Sequence, residues 1–214
     1  AKSIDNHKIN SSNQKILSDL KFWIAASTHE PEEDLCIKTH QLLKRKFKKI
    51  TTIIAPRHIN RTKTIYELCS KMKLNTQILK KDEALDITKE VIIINSFGQL
   101  PVFFMEAKSV FIGKSTIKNL ESVGGQNPID AANFGCKIYH GKYVYNFQEI
   151  YDFLKLNKIS EEIDSYDSLA NKLINDLSSE ESKKDKFSIV MRDLEKKTLS
   201  DTMNRLNKFL FNEI

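Results

Sequence analysis

The chain has 214 residues, 40% of them hydrophobic and 29% charged, with six glycines and four prolines. That is enough apolar material for a sizeable core, and it excludes collagen-like and low-complexity classes. The formal net charge of +6 suits nucleic acid, an anionic membrane surface or an anionic substrate alike, and selects none of them.

Residues 1–19 are polar and rich in Asn, Ser and Lys, and read as a linker or frayed lead-in. Leu20 to Ala26 is an apolar run of strand length. Ser27-Thr28-His29-Glu30-Pro31-Glu32-Glu33 groups cap residues, a proline and acids as at a helix start. Leu35, Leu42, Leu43 and Phe47 then fall at helical spacing, and the helix ends in the basic run Lys44 to Lys49, a solvated C-terminus favoured by the helix dipole. Ile50 to Ala55 is β-branched and almost continuously apolar, the pattern of a strand buried on both faces, and it leads into Pro56-Arg57-His58. A helix over Arg61–Lys73 and a short strand over Thr76–Leu79 follow. Val91 to Asn95 is another buried strand, succeeded by Ser96-Phe97-Gly98-Gln99-Leu100 and a helix through Glu106.

Ser109 to Gly113 is the next strand, and after it Gly124-Gly125-Gln126-Asn127-Pro128-Ile129-Asp130 opens a short helix to Phe134. Asn127 is a strong N-cap type and Pro128 suits a first turn. Glycines before a helix N-terminus can cradle a phosphate, or can simply make a tight connection. These residues alone leave the two readings open. A strand at Lys137–His140, a helix over Phe147–Leu156 and an edge strand near Ile159–Ile163 complete the alternation. Strands alternating with helices of about ten residues mean βαβ units, hence an α/β fold with a doubly wound, Rossmann-like, mostly parallel sheet and helices on both faces. From Ser165 onward the chain is helical only; residues 20–177 form the domain and residues 178–214 a C-terminal helical tail. Cys36, Cys69 and Cys136 are odd in number and widely spaced, which fits reduced thiols rather than a metal or disulfide framework. Neither a signal peptide nor a membrane-length apolar run is present, so a cytosolic soluble unit is expected.

In such a sheet, ligands bind beyond the carboxyl ends of the strands. The chemically interesting side chains fall there: Ser27 to Glu30, Pro56 to His58, Gly98-Gln99, Lys114-Ser115, the glycine turn, and His140-Gly141-Lys142. Arg57 either forks onto a phosphate or carboxylate of a ligand or pairs with a carboxylate of the chain. His29 and His58 are structural hydrogen-bonding residues or site residues. Asp130 supports its helix through the dipole or accepts from ribose hydroxyls, and Asn146 and Glu149 either border the cleft or only start the next helix. No G-x-G-x-x-G follows the first strand and there is no Walker A pattern; Gly113-Lys114-Ser115 looks like the end of a P-loop but lacks its spaced upstream glycine.

Six motifs occur in order: Trp23 to Glu30, Ala55 to His58, Ser96 to Leu100, Phe111 to Ser115, Gly124 to Asp130, and Asn146-Phe147-Gln148-Glu149-Ile150. Together they resemble the C-terminal half of the 3-deoxy-D-manno-octulosonic acid (Kdo) transferases of Gram-negative bacteria, over roughly Lys21 to Leu177. The resemblance implies one half of a GT-B glycosyltransferase, whose C-terminal domain binds the donor CMP-Kdo. The enzyme serves lipopolysaccharide synthesis, transferring Kdo to a lipid A precursor at the cytoplasmic face of the inner membrane, with neither cofactor, metal nor nucleic acid. It implies that Pro56 and Arg57 touch CMP, that Gly98-Gln99-Leu100 lie against the nucleotide, and that Asn127-Pro128-Ile129-Asp130 cradle its phosphate and ribose. Ser27, Thr28, His29 and Glu30 match the stretch at the domain interface. His58, Lys114, Ser115, Gly124, Gly125, Gln126, Asn146 and Glu149 are further interface or donor candidates. The sequence departs from the pattern where Gln99 and Asp130 replace a common Glu and Gln126 a common His. The family's general base, a glutamate, belongs to an N-terminal acceptor domain, so the chain is expected to be a truncated donor domain that binds CMP weakly and catalyses nothing alone. Exposed apolar residues such as Leu206 and Phe209 are expected on the tail. The rival readings are a UDP-sugar-dependent GT-B domain and a non-enzymatic module for anionic lipid or nucleic acid.

Overall fold

The computed structural model describes the backbone of residues 11–179 and 184–211, with side chains for residues 13–179, 184–196 and 203. The strands are β1 (Phe22–Thr28), β2 (Thr51–Pro56), β3 (Thr76–Leu79), β4 (Val91–Ile94), β5 (Ser109–Ile112), β6 (Lys137–His140) and β7 (Ser160–Glu162). They form one sheet in the order β3-β4-β2-β1-β5-β6-β7, and every pairing is parallel. The helices are α1 (Ser11–Asp19), α2 (Glu32–Lys46), α3 (Thr62–Lys71), α4 (Leu100–Glu106), α5 (Ile129–Asn133), α6 (Gln148–Leu156), α7 (Tyr166–Ser178) and α8 (Lys184–Phe211).

Continuous apolar runs become central strands because both faces of the sheet are covered. All residues of β2, β4 and β5 are buried. The period of two sends Phe22, Ile24 and Ala26 of β1 to one face and Trp23 and Ala25 to the other. The first face packs against α1, α4, α5, α6 and the start of α8, through Leu17, Phe103, Phe104, Ala131, Tyr151, Phe187 and Met191. The second packs against α2, α3 and α7, through Ile37, Leu43, Ile65, Leu169 and Leu173. α7 is tied to the sheet at its far end, where the Asp176 carboxylate accepts from Ser109 Oγ at 2.6 Å and Tyr139 Oη at 2.7 Å. Cys36, Cys69 and Cys136 are buried free thiols, and burial pushes Cys69 up to about 11 and Cys136 up to about 12.

The linker reading of residues 1–19 fails for residues 11–19, which form α1. Leu17 is buried in the first core with Ile16 and Leu20 beside it, an apolar stripe hidden among polar neighbours. Asn13 fixes the helix at long range: its Nδ2 donates to Glu83 O at 2.9 Å, and its Oδ1 accepts from Leu85 N–H at 3.0 Å. Residues 1–10 lie outside the described residues. Along α8, Phe187 and Met191 share the core of the sheet, whereas Leu206 and Phe209 lie outside the described side chains. None of the described helices is long and apolar enough to cross a membrane.

His40, on the buried face of α2, has Nδ1 2.9 Å from Thr52 Oγ1 of β2. Burial, with help from Lys44 and against Glu90, lowers its pKa to about 4. The folded chain therefore refuses a proton that the unfolded chain accepts below about 6.5. Stability is full above that pH and falls as pH drops toward 4. Urea unfolding at pH 7 and pH 5 is expected to differ by about 2 kcal/mol from this residue, and His40→Gln is expected to remove that part of the slope.

Candidate functional site

A parallel sheet delivers the loops that follow its strands to one edge. β1 and β5 are neighbours, yet β1 leads to α2 on the second face while β5 leads toward α5 on the first. Their carboxyl ends thus form the topological switch point, where α/β sheets take up ligands.

The chain after β1 is shaped by two buried acids. Ser27 sits at a register shift in β1 with φ 55°, and the chain turns into α2 through Pro31. Glu32, only 1% exposed, accepts from the N–H groups of His29 (3.0 Å), Lys114 (2.6 Å), Ser115 (2.9 Å) and Thr116 (3.1 Å), and from Thr116 Oγ1 (3.0 Å). Successive amides turned toward one point form an anion nest of the kind that holds phosphate in a P-loop. Here the anion is the chain's own carboxylate. That is why Gly113-Lys114-Ser115 resembles a P-loop end without being one. Gly113 has no room for a side chain, since a Cβ would come within 2.7 Å of Glu32 Oε2 and 2.6 Å of Ser27 O. Glu33, also buried, accepts from Thr28 Oγ1 (2.8 Å) and Arg61 Nη1 (2.7 Å); Arg61 also reaches Glu30 at 3.6 Å. The sequence pattern presented these acids only as helix-start residues. Their partners lie up to 84 residues away, and only the β1–β5 adjacency reveals them.

The glycine turn is held by the loop after β6. A Cβ on Gly124 would lie 2.6 Å from Tyr143 O, and Gly125 has φ +88° with Val144 Cα 2.9 Å from where its Cβ would be. Gly125 N–H donates to Lys114 O at 2.6 Å, Asn146 Nδ2 to Val123 O at 2.8 Å, Asn146 N–H to Gly124 O at 3.1 Å, and Tyr151 Oη to Gln126 O at 3.0 Å. The close approach these glycines allow is therefore to the protein's own backbone. The helix opens one residue later than expected. Pro128 is its N-cap, and Asn127 Oδ1 accepts from Ile129 N–H at 3.0 Å in the turn before it. Ser115 joins this wall to the rest: its Oγ accepts from Gly141 N–H at 2.9 Å and its carbonyl from Tyr143 N–H at 2.8 Å.

The expected site residues divide in two. Thr28, Glu30, Ser115, Gly124, Gly125, Gln126 and Asn146 are occupied in building the edge. Arg57 is different. It is exposed at the end of β2 and anchored by its N–H to Thr28 O at 3.0 Å, and its guanidinium has no partner among the described residues. The carboxylate pairing that was its alternative has gone to Arg61 instead. His58 is exposed and stands edge-on to His29, centroids 5.7 Å apart; partial burial lowers the His29 pKa, with smaller contributions from His58 and Lys114 opposed by the Ser27 carbonyl and Glu32. The side chains of Lys114, Asp130 and Glu149 are likewise without partners among the described residues. Gly98 has φ +78° and open space around it, while Gln99 and Leu100 start α4 beyond β4. Ser96 Oγ and Gln99 Oε1 are buried there without a hydrogen-bond partner in the protein. Among the described residues no group of His, Cys, Asp or Glu is arranged to hold a metal ion.

A wholly parallel sheet with helices on both faces and polar loops gathered at its switch point defines a Rossmann-like α/β domain with its ligand edge at the carboxyl ends of the strands. No family model matches the chain. It is 31% identical over 136 residues to the 3-deoxy-D-manno-octulosonic acid transferase of Haemophilus influenzae, over 64% of this chain and 31% of that protein. Its fold matches the crystal structure of the C-terminal CMP-Kdo binding domain of WaaA from Acinetobacter baumannii at a TM-score of 0.74 and 20% identity, covering 86% of this chain and 94% of that one. The spinosyn rhamnosyltransferase SpnG, complexed with spinosyn aglycone, matches at a TM-score of 0.51 and 8% identity, over 81% of this chain and 42% of that one. The chain is thus similar in sequence to Kdo transferases and has the fold of the WaaA C-terminal domain, and the resemblance carried by the six motifs is borne out. It spans about a third of the length of the curated relatives it matches.

Glu32→Gln puts an amide N–H₂ against donors where a carboxylate oxygen stood. It is expected to cost roughly 3 kcal/mol in urea unfolding, with the amide resonances of residues 114–116 shifting most. A loss below about 0.5 kcal/mol would show that the nest does not depend on the charge.

Proposed function

We propose that the chain is the donor-binding domain of a Kdo transferase. It holds CMP-Kdo at the carboxyl edge of the sheet while the sugar passes to a lipid A precursor presented by another part of the full protein, at the cytoplasmic face of the inner membrane. CMP-Kdo is a substrate, and the proposal assigns the chain no cofactor, metal or nucleic acid. Transfer breaks the bond between the anomeric carbon and the phosphate oxygen of the donor. The acceptor hydroxyl supplies the new bond, and its proton goes to a base outside this chain. CMP then leaves with increased charge on its phosphate, and a fixed cation beside that phosphate lowers the barrier.

The observation that carries this reading is the Arg57 guanidinium, without a partner among the described residues, one strand from the switch point, in a Pro56-Arg57-His58 segment matching the family motif. Gly98 offers open space beside the buried, unpartnered Gln99 Oε1, which supports a nucleotide contact for Gly98-Gln99-Leu100. With the Ile129 amide already held by Asn127 Oδ1, the remaining contacts of Asn127 to Asp130 come from the Asn127 side-chain N–H₂, the Asp130 carboxylate and the rest of the turn. Arg57 accordingly bears more of the phosphate charge than the short helix does.

Calorimetric titration with CMP is expected to show saturable binding, weakened at least tenfold, or about 1.4 kcal/mol, in Arg57→Ala with unfolding stability unchanged. Equal affinity for UDP, or an Arg57→Ala protein that binds CMP normally, would overturn the assignment.

A further inference from the structure

A cavity of about 600 Å³ lies away from the carboxyl edge. It opens at the opposite edge, under the first residues of β6 and β7 and between the end of α7 and the start of α8. Six lysines line it: Lys108, Lys137, Lys155, Lys158, Lys184 and Lys186. Among the described residues only two carboxylates join them, and both are engaged. Asp176 accepts from Ser109 and Tyr139, and Glu161 pairs with Lys137 at 2.6 Å and Lys172 at 2.5 Å. Among the described residues the balance around the cavity is therefore basic.

The lysines are arranged in two ways. Lys108 donates to Ser179 O, Lys137 to Lys158 O, and Lys184 to Phe104 O and Met105 O, so backbone carbonyls hold these three in place. Burial also lowers the Lys184 pKa. The ammonium groups of Lys155, Lys158 and Lys186 have no partner among the described residues. A sphere of the cavity's volume is about 10 Å across, close to one Debye length at physiological salt, so these charges feel one another and are not fully screened. An ammonium is a compact point charge well suited to phosphate oxygens, and a concave wall of several favours an anion with more than one charge. A single carboxylate would leave most of the field unbalanced.

From this we infer a second ligand site: the lysine-lined cavity at the amino edge of the sheet binds a molecule carrying clustered phosphates. It rests on nothing proposed for the carboxyl edge. The phosphates belong either to a soluble phosphate ester or to a lipid headgroup, and the two sources are separable. Inorganic pyrophosphate stands for the first, and cardiolipin vesicles, whose headgroup carries two phosphates, against phosphatidylcholine vesicles, for the second. The comparison variant is Lys155→Gln/Lys158→Asn/Lys186→Gln. All three positions are exposed, and Asn tolerates the left-handed φ of 61° at Lys158.

The soluble source is shown by saturable pyrophosphate binding, with amide shifts at residues 155–160 and 184–187, weakened about tenfold in the triple variant as salt screening and charge removal require. The lipid source is shown by vesicle co-sedimentation that the triple variant loses. In either case CMP affinity is expected to be unchanged by the variant, which keeps this test separate from that of the donor site. Binding of neither probe, binding that the variant leaves intact, or pyrophosphate shifts confined to Arg57 and Asn127 would overturn the inference.

Discussion

The Glu32 carboxylate is the interaction on which the edge of this domain depends. Three consecutive amides after β5, a threonine hydroxyl and the amide of His29 converge on one buried side chain. Left without that acceptor, the amides would be buried donors without partners, each costing on the order of 1–3 kcal/mol. With it, the loops after β1 and β5 become one unit. From that unit the order passes outward: Lys114 O receives the glycine turn, and Ser115 receives the loop after β6. Glu33 extends it the other way, to Thr28 and Arg61. Two adjacent acids at one helix start therefore organise the chain after four strands, β1, β2, β5 and β6, along the switch point.

The two faces of the sheet explain why this arrangement is stable. β1 is central, flanked by β2 and β5, and its side chains alternate between two separate cores. Helices on both sides shield the parallel ladder, and the short strands β3 and β7 form its outer edges. Apart from the buried His40–Thr52 pair on the second face, polar chemistry thus collects at the two rims. One rim is crowded with fitted loops and carries the Arg57 guanidinium, which has no partner among the described residues. The other is a cavity lined by lysines.

Much of this was legible in the residues. Runs such as Ile50–Ala55 and Val91–Asn95 can only be buried strands, and the β–α alternation fixes which loops share an edge. What escaped was whatever depends on contacts distant in sequence. α1 was hidden because Leu17 is one buried side chain in a polar stretch, and Asn13 finds its partners at Glu83 and Leu85. Glu32 and Glu33 looked like dipole acids because a carboxylate at a helix start has the same signature whether it faces water or a neighbouring loop. The glycine pair signalled close approach correctly, but sequence does not say to what. The approach is to Tyr143 and Val144.

That last contact has a thermodynamic consequence. The turn is clamped by hydrogen bonds from Asn146, Tyr151 and its own Gly125 amide, so its shape does not wait for an occupant. Association at such a wall costs the chain little ordering entropy. Selectivity among small molecules then depends on how each one fits a surface already set, and heat-capacity changes on uptake reflect buried apolar area rather than coupled folding.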